Sequence, residues 1–316
     1  MATISSPFIN NDLEAQVGFG HVFAEQAILE RLSDRLNVLP IVELVGDAAG
    51  SGSDTIRVTN IGGLGYNTAG MTALGSETAT ITASTIDLGF STVSIADYGL
   101  AYEESYKAAI LAREPQVLID SIVETIPDAW LCQMRKLVAA EVAAFSSSVG
   151  SASLTLSVDD YLDLIAVYRE ALGSRLPAVM LHPVQLSQLV ESFRSEPAFQ
   201  ANMTDFASVQ AFNESQTVTN AFGLGANIHI SDSVTTSGGG YNGGAFTPGG
   251  IGYAVASTGN LTTANPATSI LVPEFGLVIE DIQGNTGTRR VDARAFFGVA
   301  AGSSDVYTFR KVVSTT

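Results

Sequence analysis

The side chains that most often bind transition metals are scattered along this sequence. The three histidines, His21, His182 and His229, lie far apart, and no HExxH pattern or closely spaced ligand pair joins two of them. The single cysteine, Cys132, stands in a helical pattern, where a free thiol acts as a small apolar side chain. The pattern therefore predicts neither a transition-metal site nor an intrachain disulfide. Because His182 precedes Pro183, we expect its imidazole to bond to nearby backbone.

Acidic and glycine-rich motifs also have explanations that need no catalysis. Asp159, Asp160 and Asp163 stand at a predicted helix start, where the helix dipole favours carboxylates, and their spacing does not fit an EF-hand loop. Residues 238–243 formally match GxGxxG, but no helix follows and no acidic residue stands about 20 positions on. Walker A and GxSxG motifs do not occur. A soluble α+β enzyme that uses the acidic cluster is retained as the alternative from a different functional class.

Composition limits the classes of protein to which the chain can belong. A length of 316 residues with 46% hydrophobic side chains is enough to bury a sizeable core, which excludes disorder as a description of the whole. The 15 Lys and Arg residues against 32 Asp and Glu give a net charge of −17, so the surface repels nucleic acid. No run of about 18 apolar residues occurs and the first basic residue is Arg31, which predicts neither a transmembrane helix nor a secretory signal.

Residues 157–193 read as a helix, a buried strand and a second helix. Ser157 with Asp160 three residues later is typical of a helix start, and apolar side chains then return every three or four residues to one face. Residues 176–182 form the strand. Pro183 suits the first turn of the second helix, because its missing N–H would have no partner there. The unit serves packing and carries little chemistry.

The longest predicted helix covers residues 115–145 and would be roughly 45 Å long at about 1.5 Å per residue. Pro127 lies inside the pattern and cannot donate a hydrogen bond to the carbonyl four residues back, so we expect a kink there. Two consecutive helices with a break at this point are the alternative. Pro127 is in either case a candidate hinge.

A long hairpin is predicted ahead of this helix. Over residues 54–102 the apolar period changes to two, and the stretch between the two arms is rich in glycine. An isolated two-stranded hairpin is only marginally stable in water, so a projecting one needs another surface to lie on. The glycines that we assign to its tip, as candidate contacts in assembly, are Gly62, Gly63, Gly65, Gly70 and Gly75.

The C-terminal third is predicted to be rich in strands. The glycine- and serine-rich tract at 233–244 reads as a mobile surface loop between strands at 226–230 and 252–257. From residue 268 onward the pattern is again that of strands. Helices gathered between β segments favour an α+β fold over the βαβ alternation of a nucleotide-binding sheet.

The order of these elements resembles the Hong Kong ninety-seven capsid fold of tailed-phage major capsid proteins and encapsulins. Three runs carry the resemblance: LPAVMLHPVQLSQL at 176–189, FGLGANIHISDSV at 222–234 and ARAFFGVAAGSSDVYTFRKV at 293–312. The resemblance implies a division of the α+β chain into five parts. The first two are an N-terminal arm at 1–53 and an extended β-hairpin loop at 54–104. They are followed by a peripheral domain at 105–180 with a long spine helix at 113–147, an axial domain at 181–264, and C-terminal strands at 265–316 that return to the peripheral domain.

The same resemblance implies a function. It implies a major capsid protein, not an enzyme, that self-assembles into hexamers and pentamers of an icosahedral shell enclosing double-stranded DNA, with no cofactor and no membrane. The virion is its expected location, with assembly in the host cytoplasm. Expected partners are other copies of the chain, a portal, a separate scaffold protein and a cement protein. An encapsulin-type nanocompartment shell is the alternative within the same fold.

Two groups of basic residues bear on how such shells are joined. Some members of this fold family lock their shells by a lysine-to-asparagine bond from the extended loop, but Lys107, Lys136 and Lys311 all lie outside that loop. The candidate residues Arg289, Arg290 and Arg294 lie close together in a predicted strand, where Arg290 and Arg294 would share a face. They form a basic patch or, as we prefer, pair with acidic residues of a neighbouring subunit. The acidic partners that we consider are Glu280 and Asp281.

Overall fold

The computed structural model describes residues 41–61, 88–105, 116–172, 177–195, 217–218, 226–261, 269–283, 288–304 and 307–316. Among these residues are three helices and fifteen strands, which confirms the predicted α+β class. The helices are α1 (Gln116–Ala143), α2 (Val158–Leu172) and α3 (Pro183–Ser195). The strands are β1 (Glu43–Asp47), β2 (Thr55–Ile61), β3 (Leu88–Ser94), β4 (Ala96–Ser105), β5 (Ser148–Gly150), β6 (Ala178–Leu181), β7 (Thr217–Val218), β8 (Asn227–Ile230), β9 (Thr236–Ser237), β10 (Gly240–Phe246), β11 (Ile251–Val255), β12 (Ser269–Val272), β13 (Leu277–Gln283), β14 (Thr288–Ala301) and β15 (Phe309–Thr315).

The first sheet has six strands arranged around the long strand β14. The order is β1, β11, β14, β13 and β12, and β4 also pairs with β14. β14 is antiparallel to β4 over its first ten residues, to β13 over residues 289–295 and to β11 over residues 297–301. Alternate side chains of β14, from Val291 to Phe297, are buried, whereas Arg290 and Arg294 are exposed. The two-residue period therefore gives this sheet one apolar and one charged face along β14.

The second sheet has seven strands in the order β5, β15, β10, β6, β8 and β7, with β9 beside β10. β6 is buried along its whole length. Val179 and Leu181 of this strand pack in one core with α2 and α3, whereas Ala178 and Met180 pack in the other core with α1. The sheet is therefore covered by helices on both faces.

Helix α1 joins the two sheets through one core. Met134, Val138 and Val142 on its buried face are completely shielded from solvent, and they share a hydrophobic cluster with residues of β14 and of β10. The helix is continuous through Pro127. This supports the prediction of one long helix rather than the alternative of two helices with a break.

The predicted helix–strand–helix unit is present as α2, β6 and α3. Ser157 and Asp160 close the start of α2 reciprocally, because the Asp160 carboxylate accepts the Ser157 N–H (3.0 Å) and the Ser157 hydroxyl accepts the Asp160 N–H (3.2 Å). The apolar stripe predicted from the sequence is buried at Tyr161, Leu164, Ile165 and Tyr168, and the hydroxyl of Tyr168 donates to the carbonyl of Ala245 in β10 (2.6 Å). Pro183 begins α3 as predicted.

The prediction of a mobile loop at 233–244 is wrong for most of the tract. Residues 236–237 form β9, and residues 240–246 form β10, a strand inside the seven-stranded sheet that pairs with β15 and β6. Only Gly238 and Gly239, which have positive φ angles, make the exposed turn between them. A Cβ on Gly243 would lie 2.6 Å from the carbonyl oxygen of Met180, and one on Gly244 would overlap the side chain of Val142. The glycines are present because neighbouring elements pack against the bare backbone of this strand.

Three elements join sheets or cores that differ from the predicted grouping. β1, expected within the N-terminal arm, is a strand that pairs in parallel with β11. α2, placed before the predicted boundary at residue 180, shares its core with α3, which follows that boundary. β15, expected to return to the peripheral domain, lies between β5 and β10 in the seven-stranded sheet. Residues 1–40 of the predicted arm lie outside the described residues, and the division into domains stays a prediction.

Candidate assembly surfaces

The two arms of the predicted hairpin are β2 and β3. They pair antiparallel from Thr55 with Ser94 at the root to Ile61 with Leu88 at the last described position. Beyond the described residues lie the tip glycines Gly62, Gly63, Gly65, Gly70 and Gly75, whose contacts in assembly stay a prediction. The two arms are confirmed over the described residues.

The root of the hairpin is fixed to the six-stranded sheet. Val93 is almost completely buried, and the N–H of Ile95 donates to the carbonyl of Asp54 (2.7 Å). The backbone of Gly298 in β14 lies so close to the Ser94 carbonyl that no larger residue fits there. These contacts hold the root of the hairpin against β14.

A cavity of about 440 Å³ opens beside this root. Ile95 and Phe296 contribute apolar surface to its lining, and Asp54 and Asp97 contribute carboxylates. A cationic side chain from another molecule is the group that this combination suits, because it can meet both the aromatic surface and the carboxylates.

The exposed face of β14 carries the predicted arginines. Arg290 and Arg294 share this face, as the two-residue period predicted. The Nε of Arg290 donates to the carboxylate of Asp292, and this bond, with the charge of Asp292 and more weakly that of Glu103, raises the pKa of the guanidinium. Arg294 Nη1 lies 3.8 Å from Asp97 Oδ2, with both side chains more than half exposed.

These intrachain partners differ from the ones expected from the sequence. Asp97 and Glu103 lie in β4, and Glu103 stands directly opposite Arg290 in the pairing with β14. They are about 190 residues away in the sequence from the arginines that they face, so no local pattern could have found them. Both arginines are exposed and exposed ion pairs contribute little to stability, so a carboxylate of another molecule could replace these partners at little cost. Arg289 is paired through its backbone with Gln283 and Glu104.

Pro127 is buried within α1. One turn further on, the indole Nε1 of Trp130 donates to the carbonyl of Phe275 (3.2 Å), and its ring meets those of Phe275 and Phe297. Because the proline has no N–H, the carbonyl of Val123 lacks its usual helical partner. Any bend centred on this carbonyl would lie on the N-terminal side of the Trp130 anchor. The hinge itself stays a prediction.

The histidines have structural roles where the structure describes them. Nδ1 of His182 accepts the backbone N–H of Val184 (3.1 Å), which confirms the expected bond to nearby backbone. His229 is completely buried in β8, and burial, assisted by the charge of Arg135, lowers its pKa to about 4. No group of three or more His, Cys, Asp or Glu side chains gathers to hold a metal within the described ranges. None of the three described helices is both long and apolar enough to cross a membrane.

The buried amide of Gln185 was missed by sequence reasoning. Its Nε2 donates to the carbonyls of Val312 (3.0 Å) and Tyr241 (3.3 Å), and its Oε1 accepts the N–H of His182 (3.1 Å). The signal available in the sequence was the spacing of three residues between His182, which precedes the helix, and Gln185. A glutamine at this third helical position can cap the helix start reciprocally.

Comparison with known proteins gives a match in structure but not in sequence. No protein-family model matches the chain, and no curated protein matches it. A structure from Mycobacterium phage Che8 is similar at a TM-score of 0.53 and 12% identity, covering 87% of this chain and 89% of that one. The capsid of Ralstonia phage GP4 is similar at 0.53 and 10% identity, covering 87% and 86%. The holo-SrpI encapsulin complex from Synechococcus elongatus is similar at 0.52 and 12% identity, covering 86% and 85%. The chain therefore has the capsid fold that phage capsids and this encapsulin share.

Proposed function

We propose that this chain is the major capsid protein of a tailed phage, and that its copies form the hexamers and pentamers of an icosahedral shell around double-stranded DNA. The observation that supports the proposal is the similarity of fold to phage capsids over 87% of the chain. The net charge of −17 agrees with a container that encloses DNA without adhering to it. We place the protein in the virion, after assembly in the host cytoplasm.

The proposed partners follow from this role. Other copies of the chain are the main partner, with a portal at one vertex and a separate scaffold protein during assembly. The extended loop has no lysine for a covalent lock, since Lys107, Lys136 and Lys311 lie elsewhere. Non-covalent contacts or a cement protein would therefore stabilise the shell.

Deleting the hairpin tip tests the proposal most directly. Because Ile61 pairs with Leu88, residues 62–87 can be replaced by an Asn-Gly turn that preserves the register of β2 and β3. We expect a folded subunit with the circular dichroism of the wild type that forms no particles in electron micrographs. A control shortens the segment 284–287, which links β13 to β14 in the sequence. Particles at wild-type yield from the tip deletion would show that the hairpin does not clamp neighbouring subunits.

The arginine face gives a second test of assembly. Reversing Arg290 and Arg294 to glutamate places like charges beside Asp292 and Asp97 and removes the cations offered to a neighbour. We expect fewer and less stable particles, whereas R169E at an exposed position of α2 should assemble normally. Normal shells that fail only to package DNA would instead assign this face to the inner, DNA-facing wall.

Pro127 gives a test of shell maturation. We propose that it lets α1 bend as a round precursor shell becomes angular and expanded, because the missing hydrogen bond lowers the cost of bending. P127A should straighten the helix and change the proportion of the two particle forms in micrographs. P183A is the matched control, since Pro183 stands in the first turn of α3, where no bond is missing. An unchanged helix angle and unchanged proportions would refute the hinge.

An encapsulin-type shell is the second candidate function, and the similarity to the encapsulin structure supports it. The contents of purified particles separate the two. Nuclease-resistant double-stranded DNA would support the phage shell, and a co-purifying cargo enzyme would support the encapsulin. A small soluble oligomer in size-exclusion chromatography, with no particle under any condition, would favour an enzyme instead.

A further inference from the structure

The N-terminus of α3 is closed by a reciprocal pair of side chains. His182 precedes the helix, and its Nδ1 accepts the N–H of Val184, the second helical residue (3.1 Å). Gln185, the third helical residue, reaches back and accepts the N–H of His182 through Oε1 (3.1 Å). Two N–H groups at the helix start are thereby satisfied, in the manner of a capping box.

This cap also connects α3 to the seven-stranded sheet. The Gln185 amide is completely buried and donates to the carbonyl of Val312 in β15 and to that of Tyr241 in β10. The imidazole of His182 stacks on the ring of Tyr241, with centroids 3.9 Å apart and planes inclined by 13°. The residue that follows β8 is bonded to the same region, because the N–H of Ser231 donates to the carbonyl of Leu181 at the end of β6 (2.9 Å).

We propose that His182 is an acid-sensitive latch that fastens the N-terminus of α3 to this sheet, closed while the imidazole is neutral and opened when it binds a proton. The proposal concerns the folded subunit and does not depend on shell formation. His182 is only half-buried, so protons reach it without unfolding of the chain.

The chemistry of the ring explains why a proton opens the latch. Because Nδ1 accepts a hydrogen bond, the neutral ring carries its proton on Nε2. Protonation converts Nδ1 into a donor that faces the Val184 N–H, and it adds a positive charge at the positive end of the helix dipole. The cap bond is lost and the charge opposes the helix.

The groups that face the imidazole set the direction of its titration. Asp232, in the turn after β8, favours the charged ring, whereas β10 contributes the phenol ring of Tyr241 and β15 contributes the neutral carbonyl of Val312 next to Gln185. Burial outweighs the carboxylate and lowers the pKa of His182 below its ordinary value. The folded chain therefore binds this proton less readily than the unfolded chain. The latch is fully closed above about pH 6.5, the ordinary value for histidine, and it opens as the pH falls below that value.

Hydrogen exchange in unassembled full-length subunits tests the latch. Exchange of the peptide that covers the first turns of α3 is measured at pH 8, 6.5 and 5 and corrected for the intrinsic pH dependence of exchange. We expect protection in the wild type to fall with pH, by up to about tenfold per pH unit, because one proton is taken up. H182N supplies a side chain that caps helices but does not titrate, so its protection should not change with pH. H182A should be poorly protected at every pH.

A surface variant keeps the test decisive if the His182 variants fold poorly. D232N leaves the latch intact and removes the carboxylate that favours the charged ring in the closed state, so a proton should weaken the latch more and the loss of protection between pH 6.5 and 5 should be larger than in the wild type. The same loss of protection in D232N as in the wild type, or the same pH dependence in the wild type and H182N, would overturn the proposal.

Discussion

Replacing Gly243 by alanine should destabilise the subunit through a clash that the structure defines. A methyl group at this position would lie 2.6 Å from the carbonyl oxygen of Met180 and 2.6 Å from Oε1 of Gln185. The first atom belongs to the backbone of the neighbouring strand β6, which is held by its pairing with β10 and β8. Neither strand can move away without disturbing the sheet.

The expected size of the effect follows from two contributions. Overpacking a tight core position costs about 1 to 3 kcal/mol. Displacing the buried Gln185 amide, which makes three hydrogen bonds to backbone, adds about 1 kcal/mol for each bond that is weakened. We therefore expect the free energy of unfolding to fall by about 3 kcal/mol, a large part of the ~5 to 15 kcal/mol typical of a domain.

Urea denaturation of unassembled subunits, followed by circular dichroism and by Trp130 fluorescence, measures this loss. The matched control is G259A, because the nearest atoms to a methyl group there lie 3.7 Å away, at an ordinary contact distance. Both variants remove the same backbone freedom from the unfolded chain, so their difference isolates packing. If G243A unfolds within about 0.5 kcal/mol of G259A, the close approach of α3 and β6 to this strand is refuted.

Three further predictions use the same unfolding assay. His229 has a pKa of about 4 in the folded chain against an ordinary value of about 6.5, so the free energy of unfolding should decrease by up to about 3 kcal/mol as the pH falls from 6.5 towards 4. H229Q should remove this part of the pH dependence, and an identical slope in H229Q would contradict the prediction. W130F keeps an aromatic ring but leaves the carbonyl of Phe275 without its buried donor, which should lower the free energy of unfolding by about 1 to 3 kcal/mol. An unchanged free energy of unfolding would show that this bond does not anchor α1. S157A removes one half of the cap on α2 and should cost about 1 kcal/mol, whereas S195A at the exposed end of α3 should cost less; equal losses would argue against the cap.

What the sequence predicted correctly was encoded by neighbouring residues. The start of α2 at Ser157 and Asp160, the proline at the start of α3, and the shared face of Arg290 and Arg294 each depend on residues within four positions of one another. Such patterns act through local geometry, and the folded chain keeps them. The bond from His182 to the adjacent backbone belongs to the same class.

What the sequence did not predict depends on segments far apart in the chain. The tract at 240–244 has the composition of a loop, and it becomes an interior strand because α1, α3 and β15 approach its backbone, which no local pattern shows. Asp97, which faces Arg294, and Glu103, which stands opposite Arg290, both come from β4. The parallel pairing of β1 with β11 joins residues about 200 positions apart.

The position of β15 constrains the order in which a newly made chain can fold. This strand lies between β5 and β10, and its Val312 is buried in the core formed by α2 and α3. β10 is synthesised roughly sixty residues earlier, so at about 5 to 20 residues per second it waits several seconds for its partner. During that time one edge of β10 is unpaired and the core above it is incomplete. The core that β15 shares with α2 and α3 can therefore be completed only after residues 309–315 have emerged from the ribosome.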